Sequence, residues 1–73
     1  MAFDYSLLMG RIIEKYGTQY NFAREMGISE RSISLKLNNK VPWKDAEIYK
    51  ASNLLEIVPE EISRYFSAEK VQV

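Results

Sequence analysis

Apolar residues recur at intervals of three and four along most of the chain, which is the spacing of amphipathic α-helices. The clearest case is residues 4–16, where six apolar side chains share one broad helical stripe: Tyr5, Leu8, Met9, Ile12, Ile13 and Tyr16. Asp4 is a candidate cap at the start of this helix, and Gly17 is expected to end it. Leu7 and Gly10 point away from the stripe, so Leu7 is either an ordinary exposed leucine or part of an interface.

Two shorter helices are predicted next, joined by a tight turn. Thr18 is a suitable N-cap for the first of them, whose inward face carries Phe22, Ala23 and Met26. Gly27 should end that helix, because glycine adopts a left-handed backbone conformation at little cost. Ser29 offers a second N-cap and opens a helix in which Ile33 and Leu37 lie one turn apart. We therefore expect Ile33 and Leu37 to face the core.

The remaining chain favours two more helices. Asn39 is a natural left-handed terminator of the third helix, and Pro42 then breaks the helical pattern. Residues 44–55 carry a core stripe made of Ile48, Ala51, Ser52 and Leu55, and Trp43 before them is expected to pack over the join with the preceding helix. Pro59 opens a fifth helix whose apolar side carries Ile62, Tyr65 and Phe66. The whole pattern predicts an all-α fold of five helices, with residues 1–73 as a single domain and residues 67–73 as a tail.

Composition narrows the function classes. The chain of 73 residues has no cysteine and no histidine, so it lacks a thiolate metal site and the commonest general base. It also lacks a glycine-rich phosphate loop. We therefore expect no enzyme, no metal and no other cofactor. Without an apolar run long enough to span a membrane or a signal-peptide pattern, we expect a cytoplasmic protein without a membrane partner.

The net charge is zero, but the charges are unevenly distributed. Residues 24–44 carry five positive and two negative side chains, a balance of +3. Residues 45–61 carry one positive and five negative side chains, a balance of −4. Such a polarity would orient the domain on DNA through its basic segment. The alternative is that these charges belong to ordinary solvated helix faces.

Residues 18–40 resemble the helix-turn-helix of the lambda-repressor and Cro-like family. The resemblance rests on the small Ala23, on Gly27 four residues later, and on the apolar Ile28 and Ile33 that anchor the second helix. It implies a compact five-helix lambda-repressor-like domain whose second motif helix lies in the major groove of DNA. One position departs from the family pattern, because Lys36 stands where the family usually has an apolar residue, between Leu35 and Leu37.

With Ile33 and Leu37 inward, an outward face remains that would read DNA: Arg31, Ser32, Ser34, Leu35 and Asn38. Arg31 is suited to guanine, the serines to bases or phosphates, and Leu35 to a thymine methyl group, unless Leu35 is a partly buried core or dimer contact. Four further residues are phosphate candidates at the edges of this face: Lys36, Asn39, Lys40 and Lys44. Gln19 stands where the family commonly has a glutamine that braces the DNA backbone.

The leading hypothesis is a sequence-specific transcription regulator of the phage Cro and repressor type, which occupies a double-stranded DNA operator. A homodimer, formed in solution or only on DNA, would match paired half-sites. The unassigned apolar residues Leu7, Tyr65 and Phe66 and the tail would form its interface, as the fifth helix and tail do in this family. The alternative is a protein-interaction module on the same fold, either antitoxin-like or an anti-repressor. The neutral net charge leaves room for this alternative.

Overall fold

The computed structural model describes residues 3–68, and the elements in that range are all helices. In chain order they are α1 (Ser6–Tyr16), α2 (Gln19–Met26), α3 (Glu30–Leu37), α4 (Asp45–Leu54), a 3-10 turn (Pro59–Glu61) and α5 (Ile62–Phe66). The predicted all-α fold with five helices is confirmed. The valines at positions 71 and 73, which the tail prediction included, lie outside the described residues.

Side-chain caps and one glycine fix the relative placement of α2 and α3. The Thr18 hydroxyl accepts a hydrogen bond from the backbone N–H of Asn21 at 3.1 Å, and the Ser29 hydroxyl accepts one from the N–H of Ser32 at 3.1 Å. Between the two helices Gly27 adopts φ +77°, ψ +23°, in the left-handed region. The N-caps predicted for α2 and α3 and the predicted glycine turn are therefore present, and α3 follows α2 after three residues.

The core consists of twelve buried apolar side chains from all five helices and the nearby loops: Tyr5, Leu8, Ile12, Phe22, Ala23, Met26, Ile33, Leu37, Ala51, Leu55, Ile57 and Phe66. Ile33 and Leu37 face inward as predicted. Ile13 does not, because its side chain is 46% exposed. The buried side of α1 is narrower than the sequence stripe suggested, because α1 packs chiefly against α2 and α5.

The predicted dimer surface on the fifth helix is wrong in part. Phe66 is buried in the core, and Tyr65 is half-buried and packs against the core. Both therefore contribute to the fold of the chain itself. Of the three helical residues predicted at the dimer interface, Leu7, Tyr65 and Phe66, only Leu7 is well exposed, with 42% of its surface accessible.

An aromatic cluster joins the two ends of the described chain to the α3–α4 loop. The Trp43 ring meets Phe66 edge-on at 5.2 Å between centroids and Tyr5 at 6.5 Å. The backbone N–H of Asp4 donates to the carbonyl of Ala68 at 2.7 Å, so the residues before α1 lie beside those after α5. Trp43 thus packs from the loop onto the start of α1 and onto α5.

Gly10 lies in the middle of α1, where the backbone conformation does not require a glycine. Unlike Gly17 and Gly27 it does not have a positive φ, and a Cβ built on it meets nothing within 4 Å in the described structure. A glycine inside a helix costs roughly 0.5–1 kcal/mol relative to alanine. Neither the backbone of α1 nor its packing explains this cost.

We expect opposite effects from two matched substitutions. Gly10→Ala should raise the free energy of unfolding by about 0.5–1 kcal/mol, because the helix gains a better former without a clash. Gly27→Ala should lower it by about 1–2 kcal/mol, because alanine is strained at φ +77°. Thermal denaturation at low micromolar concentration measures both. Equal changes of the same sign would contradict this account of the two glycines.

Candidate functional site

The exposed side of α3 and the start of α2 border a cleft of about 390 Å³. It is lined by Gln19, Glu30, Arg31, Ser34 and Leu35. Arg31 and Glu30 are exposed, whereas Gln19, Ser34 and Leu35 are half-buried. The cleft thus brings together four residues that the sequence predicts to contact DNA, namely Gln19, Arg31, Ser34 and Leu35. Glu30 lies in the same cleft. Leu35 is neither a core residue nor a fully exposed one, so its side chain is available at the cleft.

Lys36 is not available to a partner, and its predicted phosphate contact is wrong. Only 4% of its surface is exposed. Its ammonium group lies 2.9 Å from a carboxylate oxygen of Glu47, 3.3 Å from the carbonyl of Pro42 and 5.9 Å from the centroid of Trp43. Lys36 therefore fills the inward position where the lambda-repressor and Cro-like family has an apolar residue. Its aliphatic stem is buried, and its charge is neutralised inside the protein.

The carboxylate of Glu47, in the first turn of α4, has two hydrogen-bonding partners. One carboxylate oxygen accepts both the Lys36 ammonium and the backbone N–H of Lys44, the latter at 2.9 Å. Burial alone would raise the pKa of this carboxyl group, but the hydrogen bonds from the Lys44 backbone and from Lys36, with the charges of both lysines, lower the pKa below its usual value. Glu47 is therefore ionised at neutral pH, and the pair connects α3 to the start of α4.

Three other predicted contact residues form hydrogen bonds within the protein, two of them inside α3 and its caps and one with the residues before α1. The Ser32 hydroxyl lies 3.0 Å from that of Ser29 in the α3 cap. The Asn38 amide donates to the carbonyl of Ser34 at 2.7 Å. The Asn39 side chain forms two hydrogen bonds of 2.8 Å with the backbone N–H and carbonyl of Phe3. Asn39, at φ 62°, is thus the predicted left-handed terminator and also a clamp on the residues before α1.

The cleft itself carries no net charge, although cations are exposed beside it. Arg31, Lys40 and Lys44 are exposed, but the two lysines do not line the cleft. Within the cleft Arg31 is balanced by Glu30 next to it in sequence. The cleft is therefore formally neutral and has a leucine and polar side chains on its walls.

Sequence reasoning missed two residues of this region. Glu47 belongs to the acidic segment 45–61, and its partner Lys36 is eleven residues away on another helix. The available signal was Lys36 itself, since a lysine at an apolar position of the pattern requires a buried partner. Glu30 lines the cleft but is not among the residues that the sequence predicts to contact DNA.

Within residues 3–68 no three acidic side chains come close enough together to hold a metal ion. Among the helices of that range, none has the length and apolar character needed to cross a membrane.

Comparisons with known proteins identify relatives of the whole chain. A family model with the description "Protein of unknown function (DUF739)" matches residues 1–69. A search of curated proteins finds no match. Among solved structures, the chain is similar to the modulator of repression (MOR) of the temperate bacteriophage TP901-1 from Lactococcus lactis. The two are 60% identical in sequence, the match covers 99% of this chain and 97% of that one, and the TM-score is 0.81. Membership of the lambda-repressor and Cro-like family stays a prediction from the motif.

Removing one member of the buried ion pair should destabilise the protein strongly. Lys36→Ala should lower the free energy of unfolding by about 3 kcal/mol, because Glu47 would keep a partly buried charge without its partner. Lys40→Ala removes an exposed lysine nearby and should change the same quantity by less than about 0.5 kcal/mol. Urea denaturation of both variants tests this, and similar stabilities would show that the pair contributes little.

The pair should also make stability depend on pH. Because the pKa of Glu47 is lowered in the folded state, its contribution is present above the ordinary value of 4.5 and is lost as pH falls through the folded-state pKa. The difference in free energy of unfolding between the unsubstituted protein and Glu47→Gln should therefore be largest near pH 7 and should shrink below about pH 4.5. Urea denaturation across that range measures it, and a difference that grows at acid pH would contradict the assignment.

Proposed function

The chain belongs to the DUF739 family, and we propose that it regulates phage repression by binding a repressor protein through the cleft between α2 and α3. The relative with 60% identity over nearly its whole length carries the name modulator of repression. A modulator need not occupy the operator itself. Contact with the repressor would change repression directly and fits the anti-repressor alternative that the sequence left open.

The observation that carries the proposal is the neutral cleft. A protein that holds DNA through its phosphates gains affinity from the lysines and arginines that neutralise them. Here the lysine in the last turn of α3, Lys36, is buried against Glu47, and the single arginine of the cleft stands beside Glu30. The half-buried Leu35 adds apolar surface that a protein partner would cover. This composition suits a protein interface, in which an arginine is a common energetic anchor.

Operator binding is the second candidate, and one observation favours it. Arg31, Lys40 and Lys44 are all exposed on α3 or in the segment that follows it. Operator binding predicts a DNA affinity that falls steeply with salt, because each phosphate contact releases counterions. Repressor binding through the neutral cleft predicts a much weaker dependence on salt.

The experiment compares both partners under the same conditions. Isothermal titration calorimetry with the purified cognate phage repressor should show a complex, and Arg31→Ala and Leu35→Ala should each weaken it about tenfold or more. Arg64→Ala and Val58→Ala are matched controls, because they remove an exposed arginine and an exposed apolar residue outside the cleft. Both controls should bind as the unsubstituted protein does.

Selection from a random pool of DNA duplexes completes the test. We expect no enriched site when the protein is used alone at low salt. Enrichment of a defined site that Arg31→Ala abolishes, together with no complex in the calorimetry, would replace repressor binding by operator occupancy. A repressor complex that neither cleft substitution weakens would show that the partner binds elsewhere.

A further inference from the structure

The cleft between α2 and α3 contains one acid and one base, and the rest of the described chain neutralises neither of them. Glu30 and Arg31 are both exposed, and both line the cleft. We propose that they form a recognition pair, which selects a repressor segment with a cation opposite Glu30 and a carboxylate opposite Arg31. This inference rests on the repressor binding proposed above, and it identifies the chemistry of the surface that the cleft accepts.

Arg31 differs from the other arginines of the chain because its guanidinium group has no partner. Within residues 3–68 its side chain forms no ion pair, hydrogen bond or ring contact. An arginine left unpaired in a cleft keeps all its N–H donors for a carboxylate of another molecule. The other arginines are engaged inside the protein: Arg11 with Glu14, Arg64 with Glu61, and Arg24 over the ring of Tyr20.

The carboxylate of Glu30 is unpaired as well. Arg31 follows it in sequence, but consecutive side chains of a helix project about 100° apart and do not face each other. No other cation or N–H group of the described residues bonds to the Glu30 side chain. An acid in the first turn of α3 also favours the helix, so recognition and stability have to be measured separately.

The order of the cleft side chains around α3 defines what a partner has to present. At about 100° per residue, Glu30 lies about 100° to one side of Arg31, and Leu35 lies about 40° to the other side. Ser34 falls between the two charged residues. A segment that crosses α3 therefore meets an acid, a hydroxyl, a base and an apolar side chain in that order. The complementary segment carries a lysine or arginine, a polar group, an aspartate or glutamate, and an apolar side chain.

The recognition pair acts against ligands that carry charge of one sign only. A nucleic acid backbone would satisfy Arg31 but would bring phosphates close to Glu30, and a uniformly basic surface would be repelled by Arg31. A surface with both charges in the matching order satisfies the two residues at once. Complementary charges of this kind determine which partner binds, and in which register, more than how tightly it binds.

A charge-swapped variant of the full chain tests this order. Glu30→Arg combined with Arg31→Glu keeps the net charge of the cleft, and both positions are exposed, so the fold should be retained. In isothermal titration calorimetry with the purified cognate phage repressor, the swap should weaken binding about tenfold or more. The matched control is Glu61→Arg combined with Arg64→Glu, which reverses an ion pair outside the cleft and should bind as the unsubstituted protein does.

Single substitutions separate recognition from a structural role of Glu30. Glu30→Gln should weaken the repressor complex about fivefold or more, because a cation of the repressor loses its carboxylate. Glu30→Asp keeps the charge and should bind more tightly than Glu30→Gln. Thermal denaturation of the same variants measures the effect on α3. A purely structural role would lower the midpoint of denaturation and leave the affinity of the folded protein unchanged.

The outcomes distinguish this inference from the proposed function on which it rests. Absence of a complex between the repressor and the unsubstituted protein would overturn both. A complex that Arg31→Ala and Leu35→Ala weaken, but that the charge swap and Glu30→Gln leave unchanged, would overturn the recognition pair alone. A selected DNA duplex that Glu30→Gln binds more tightly would assign the cleft to nucleic acid, because that substitution removes a repulsion from phosphates.

Discussion

The placement of α3 depends on a buried charge. The ammonium group of Lys36 sits inside the protein, where its cost is offset by Glu47, by the carbonyl of Pro42 and by the face of Trp43. These three partners come from the α3–α4 loop and from α4. Together with the buried Ile33 and Leu37, this side chain fixes the rotation of α3, and it joins α3 to the following loop and to the start of α4. That rotation determines which residues of α3 face solvent and leaves the outward cleft without a net charge.

The predictable part of the fold was local chemistry. Thr18, Gly27 and Ser29 act on their own backbone neighbours, so their residue types suffice to place the turn between α2 and α3. The inward positions Ile33 and Leu37 followed from helical spacing for the same reason. Spacing also predicts Ile13 in the core, and this prediction is wrong. Periodicity identifies the apolar face of a helix, but it does not show how much of that face the neighbouring helices will bury.

The surface was harder to predict than the core, and Lys36 shows why. By residue type a lysine on α3 suggests a phosphate contact, and only its pairing with a distant glutamate reverses that interpretation. The order of helices that suggests a DNA reader is therefore combined with a cleft that carries no net charge. A fold hosts many functions, and the function follows from the side chains on it. In this chain the burial of one cation is the reason why we propose a protein partner rather than nucleic acid.

The hydrogen bonds at residues 3–4 have a consequence for how the chain can be re-engineered. Asn39 holds the backbone of Phe3, and Asp4 bonds to the carbonyl of Ala68, so both ends of the described chain meet beside the last turn of α3. Ends that lie this close can be joined by a short linker, and the chain can be reopened at an exposed loop such as the one around Val58. Such a permuted chain would change the order of the helices while keeping the same contacts between them, and its folding would depend on those contacts rather than on that order.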